Sequence, residues 1–194
     1  MSHATRRRLV TGLDHTILGA LLALAVLLLA LGAMQPVQAA EIIPQIGYTH
    51  SLSGDNHNVT AYGLALRTTL VPMLQAEIAG SYRKDDNAPG STSLIQWPVT
   101  ASLWARPLPA IYAGGGLGYY STTLEYQGAV LPNSTTRKVG AHLGGGFDVP
   151  LAPGVASLDI GARYVYLGNQ TSDMPPKSWK ADFWTATAGL AIHF

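Results

Sequence analysis

Cysteine is absent from the 194-residue sequence, which excludes a disulfide framework, a thiolate metal site and a lipid-modified N-terminal cysteine. Charge is scarce as well: Asp, Glu, Lys and Arg make up 12%, about half the share of an ordinary soluble domain, so the surface is not expected to face water everywhere. The formal net charge of +1 gives no basic field for nucleic acid. After Met34 there is no second apolar run long enough for a membrane-spanning helix. What the chain does have is glycine, 21 residues of it, and short stretches in which apolar and polar residues alternate.

The first 39 residues read as an export signal. Arg6, Arg7 and Arg8 form a basic head, an apolar run extends from Ile17 to Met34, and "PVQAA" places Val37 and Ala39 at the −3 and −1 positions of a peptidase site. Cleavage is expected after Ala39. The competing reading is a retained transmembrane helix, for which the run is just long enough. Three of the 12 basic and one of the 11 acidic residues precede Ala40, which leaves nine and ten in residues 40–194 and argues against a polybasic membrane anchor.

Eight segments then alternate with a period of two: Gln45–Ser51, Asn58–Leu70, Leu74–Arg83, Leu94–Arg106, Ala110–Tyr126, Arg137–Val149, Val155–Leu167 and Ala181–Phe194. The connections "VPM", "PLP" and "LAPG" are tight and marked by proline. By contrast "LSGDNHN", "KDDNAPGSTS", "QGAVLPNSTT" and "GNQTSDMPPKSWK" are longer and polar. Short turns alternating with long loops predict an all-β, eight-stranded, antiparallel up-and-down transmembrane β-barrel over residues 40–194, following a cleaved signal peptide over 1–39.

The faces agree. In "VASLDIGARYVY", Ala156, Leu158, Ile160, Ala162, Tyr164 and Tyr166 share the face expected to meet lipid, and Ser157, Asp159, Gly161 and Arg163 point inward. Laid out alternately up and down, the strands bring Tyr48, Tyr62, Tyr82, Trp97, Tyr119, Tyr164 and Trp184 to the loop-side rim, and Phe147 and Phe194 to the turn side. Trp184 and Phe194 are ten residues apart; at about 3.3 Å per residue and a tilt near 45° they span roughly 23 Å, close to the ~25 Å apolar band of such barrels.

The strands "IYAGGGLGYY" and "SLDIGARYVYLG" and the closing "WTATAGLAIHF" resemble those of small eight-stranded outer-membrane barrels of the OmpA/OmpX-like type. The resemblance covers essentially all of residues 40–194 and implies an integral protein of the outer membrane of a double-membraned bacterium. It implies an assembly signal on Trp184, Leu190, Ile192 and Phe194, read by the outer-membrane assembly machinery. Other implied partners are outer-membrane lipids, lipopolysaccharide among them, and a surface ligand at the outer loops; nucleic acid is not expected. No peptidoglycan-binding domain follows the barrel in this sequence, so a cell-wall tether is not implied.

The inward charges are Arg67, Glu77, Arg83, Arg106, Lys138, Asp148, Asp159 and Arg163, joined by His142 and His193. A proton path or selectivity filter could be built from them, chiefly from Arg67, Glu77, Arg106, Asp148, Asp159 and Arg163. Eight strands, however, enclose a space that side chains fill, so a plug of mutually paired ions is the expectation. "GGGLG" and "GGG" at residues 144–146 do not open an amphipathic helix and so are not phosphate loops. Inward glycines should instead make room for long charged chains.

Catalysis has one candidate, His50, Ser51, Ser53, Asp55 and His57 at the first outer loop, since some small barrels are lipid A deacylases or acyltransferases that use a serine and a histidine near the outer leaflet. Neighbouring His50 and Ser51 point to opposite faces, and Leu52 occupies the position that would share the histidine's face, so base and nucleophile are not expected to meet. A loop metal site at His50, Asp55 and His57 is the weaker alternative. Expected therefore are no catalytic residues, cofactor or metal, and a non-enzymatic barrel acting in envelope integrity, adhesion or surface interaction. A lipid A-modifying enzyme and a narrow channel are the alternatives.

Overall fold

The computed structural model describes residues 40–52, 58–88, 92–126, 134–171 and 178–194. The expected export signal lies outside them. Among the described residues there are ten strands: β1 (Ala40–Ser51), β2 (Asn58–Val71), β3 (Leu74–Ala88), β4 (Thr92–Leu108), β5 (Ile111–Tyr126), β6 (Ser134–Ala152), β7 (Ala156–Tyr166), β8 (Asn169–Thr171), β9 (Ser178–Lys180) and β10 (Phe183–His193). Eight form a closed antiparallel barrel in which each strand pairs with its neighbours along the chain, and β10 closes on β1. Closure gives each of the eight a paired neighbour on both sides, which a lipid environment requires. At the seam Ala40 and Phe194 exchange backbone hydrogen bonds of 3.0 and 2.9 Å.

The short connections behave as their composition dictates. Pro72 presets its own φ, and Met73 follows at φ 72°, the proline-then-positive-φ order of a type II turn. Gly154, at φ 71°, makes the corresponding reversal between β6 and β7. The long "GNQTSDMPPKSWK" connection is more ordered than its polarity suggests: β8 and β9 pair into a two-stranded ribbon. Asp182 ties down the base of that ribbon, its Oδ1 accepting the backbone N–H groups of Leu167 at 2.8 Å and Gly168 at 2.7 Å.

Polarity is inverted relative to a water-soluble fold. Leu143 is 70% exposed on the outer face, whereas Arg67 is 2% exposed inside. Leu103, Leu117, Ile160 and Leu190 also lie on the outer surface. Aromatic side chains gather toward the loop side, Tyr82 with Trp97 at 4.6 Å and Tyr164 with Trp184 at 5.0 Å between ring centroids, while Phe194 projects outward at the turn side. Glycine serves the interior at a specific point: a Cβ on Gly146 or Gly161 would come within 2.5 or 2.9 Å of the Tyr112 hydroxyl. Both positions must stay bare for that tyrosine to lie across the lumen.

Candidate functional site: the charged lumen

Inward alternation on six strands brings residues far apart in sequence to one level. Arg67 of β2 is the hub. Its Nη2 and Nε donate to Glu77 Oε2 of β3 at 2.8 and 3.1 Å, and its Nη1 donates to Asp159 Oδ2 of β7 at 2.8 Å. Arg163 of β7 donates to the other Glu77 oxygen at 2.7 Å, and Arg106 of β4 pairs with Asp148 of β6. The structure thus joins Arg67, Glu77, Asp159 and Arg163 into one network and sets Arg106 and Asp148 in a second pair beside it.

Glu41 bridges the two. It lies 3.7 Å from Arg67 and 3.9 Å from Arg106 and is 3% exposed. The sequence reading missed it because it began the first strand at Gln45, after Pro44, which has no N–H for the ladder. Glu41 and Ile43 nonetheless keep the parity of Gln45, Gly47 and Thr49, and that parity was the available signal. Aromatic rings fill the remaining space: Arg67 lies 4.6 Å over Tyr112 and Arg163 4.9 Å over Trp104, and the Tyr112 hydroxyl donates to Asp159 Oδ1 at 3.0 Å.

Two of the expected inward cations depart from mutual pairing. Lys138 sits at the rim and donates to the Asn169 carbonyl at 2.6 Å. Arg83 stacks on the Phe183 ring at 3.9 Å and has no carboxylate in ion-pair range among the described residues. Its level is apolar, formed by Tyr120, Val165, Leu167 and Phe183. The lumen is therefore layered, ions toward the turns and an apolar lid toward the loops.

The histidines meet serines. His142 Nε2 lies 2.9 Å from Ser102 Oγ, and His193 Nε2 lies 3.0 Å from Ser157 Oγ with Glu41 3.5 Å from its Nδ1. The second set has the order of a catalytic triad, but Ser157 is 3% exposed, and its strand's backbone donors serve the pairing of β7 with β6 and β10 rather than an oxyanion. At the first outer loop, His50 Nδ1 lies 3.1 Å from Asn58 Oδ1, across the strand pair and not on a serine. Ser53, Asp55 and His57 lie outside the described residues. Among the described residues no group of three metal-ligating side chains comes together. On the outer rim Lys84 and Asp86 pair at 2.9 Å, and hydrogen bonds from Lys84 and Ser93 hold the Asp86 carboxyl below its ordinary value.

The sequence matches the family model "outer membrane protein beta-barrel domain" over residues 21–194. The chain belongs to that family. It is accordingly an integral protein of the outer membrane of a double-membraned bacterium, crossed by strands. Similar solved structures share the fold at low identity. Neisserial surface protein A is 16% identical with a TM-score of 0.61, over 81% of this chain and all of its own. Ail, the attachment invasion locus protein of Yersinia pestis, solved with the heparin analogue sucrose octasulfate, is 12% identical with a TM-score of 0.56, over 82% of this chain and all of its own. OprG of Pseudomonas aeruginosa is 16% identical with a TM-score of 0.53, over 81% of this chain and 96% of its own. No curated protein matches.

The family membership accounts for the inverted polarity of the barrel. Trp184, Leu190 and Ile192 project outward on β10, and Phe194 follows at the seam with Ala40.

Proposed function

We propose that this barrel is non-enzymatic and works at the cell surface through its outer loops, in attachment or in maintaining the envelope. The observation that carries the reading is the layered lumen: ion pairs at one level and an apolar lid at another leave the exterior loops, rather than the interior, as the working surface. Residues 1–39 are proposed to direct export, and Trp184, Leu190, Ile192 and Phe194 to engage the assembly machinery. Ail supports an attachment reading by its printed name. The charges on and beside the loops nearly balance, however, with Lys84, Arg137, Lys138, Lys177 and Lys180 against Asp55, Asp85, Asp86, Glu125, Asp173 and Asp182, which favours neutral hydrogen-bonding contacts over a sulfated polysaccharide.

The test compares cells carrying the wild-type barrel with cells in which residues 172–177 are replaced by a glycine-serine linker. Attachment to host-cell or matrix surfaces is expected to fall while the outer-membrane level of the protein and the lipid A mass spectrum stay the same. Full attachment by the linker variant would overturn the loop reading. An acyl chain gained or lost from lipid A on expression of the wild type would overturn the non-enzymatic one.

A further inference from the structure

The lumen is segregated by charge. Glu41, Glu77, Asp148 and Asp159 each face an arginine at the ionic level. Between that level and the apolar lid is a cavity of about 60 Å3, and no carboxylate lines it. Its charged walls are Arg83 and Arg163, the second already paired with Glu77. Arg83 has no carboxylate within ion-pair distance among the described residues, and the Asp85 carboxylate, two residues on and off the cavity wall, acts on it from beyond that range. One face of its guanidinium is covered by Phe183, and its buried Nε has no acceptor. Two further polar groups line the same cavity without a partner: the Tyr120 hydroxyl, in a residue 1% exposed, and Nδ1 of His142, in a residue 3% exposed. When Ser102 donates to His142 Nε2, that Nδ1 carries the proton and becomes a donor.

We propose that this cavity binds one small monovalent anion, chloride under physiological conditions. Arginine does not give up its proton inside a protein, so its charge must be met by a partner. An aromatic face offsets part of it, and water solvates without neutralising. A halide neutralises Arg83, and the donors the cavity wall offers it are Arg83 Nε, the Tyr120 hydroxyl and His142 Nδ1. The size agrees: about 60 Å3 is room enough for a halide with its water. Charge selects among small anions as well, since a single unpaired cation is matched by a monovalent ion and overshot by phosphate. The inference rests on the closed lumen and not on what the outer loops contact.

Bromide replaces chloride and scatters anomalously. Crystals of the folded wild-type protein grown in sodium bromide are expected to show an anomalous peak in the cavity beside Arg83 and Tyr120; peaks at the surface alone would overturn the site. In detergent solution the urea unfolding midpoint of the wild type is expected to rise saturably in sodium chloride relative to sodium gluconate of equal ionic strength. Arg83→Met, which keeps the apolar stem, is expected to erase that rise, and Arg137→Gln, which removes the same charge from the exposed rim, to retain it. An equal chloride dependence in wild type and Arg83→Met would be screening at the surface and would overturn the proposal. Should Arg83→Met fail to refold, the bromide map of the wild type decides alone.

Discussion

Arg67 donates to Glu77 and Asp159 and lies near Glu41, so one guanidinium separates three carboxylates in a space that water barely enters. Arg67→Met is expected to cost about 3–5 kcal/mol, because it strands buried charges rather than merely deleting contacts. Urea unfolding of the refolded barrel measures this, and adding Asp159→Asn should recover part of the loss. On the lipid face Ile160 sits midway along β7 and is exposed, whereas Leu158 lies two residues from that strand's turn-side end. Ile160→Arg is therefore expected to destabilise by about 2–4 kcal/mol and Leu158→Arg by roughly 1 kcal/mol or less, since the penalty falls from the bilayer midplane toward its interfaces. Equal losses in the two, measured by unfolding from lipid vesicles, would place the membrane differently along β7. These facings were legible in the sequence because side chains alternate at every residue of a strand; Arg83's want of a carboxylate was not, because it depends on what the opposite wall presents.

At the scale of the element, β10 both closes the sheet and exposes Trp184, Leu190 and Ile192 on one outward row. Deleting Phe194 removes the seam hydrogen bonds with Ala40 together with an outward aromatic at the turn-side rim. Much of the protein is then expected to be lost from the outer membrane to periplasmic aggregates or proteolysis, read by fractionation and by heat-modifiable mobility; an unchanged yield would separate Phe194 from the assembly signal. The existence of the eight barrel strands was legible in the sequence and their ends were not. β1 begins at Ala40 rather than Gln45, because its ladder to β2 runs unbroken through Pro44, while the ladder to β10 lapses at Ile43 and Pro44 and resumes at Ile42. The β8–β9 ribbon escaped the alternation test for another reason: three residues a side carry too little periodic signal, and the ribbon rests on Asp182 capping its base.

For the whole molecule, strand number sets the diameter and the lumen is filled at two levels. Eight strands leave an interior that side chains occupy, whereas about 16 strands leave an aqueous channel. The purified protein in planar bilayers is expected to show no stable large conductance, and liposomes containing it should not swell in small sugars. Porin-sized steps from a verified monomer would contradict both the plug and the apolar lid.

Local pattern carried the class of fold: the period of two, the alternation of tight and long connections and the low charge all act over a few residues, and each is a property of the chain before it folds. Which charges share a partner was a different matter. Arg67 meets Asp159 across 92 residues and Arg163 meets Glu77 across 86, contacts that come into being only when the sheet closes and opposite walls face one another. Closure also decided that Glu41 joins two ion pairs, that Lys138 reaches a backbone carbonyl, and that Arg83 lines a cavity without a carboxylate. The physical reason is that alternation specifies the side of the sheet a residue occupies, while the identity of its neighbour across a lumen depends on strand order, stagger and tilt, which belong to the closed barrel as a whole.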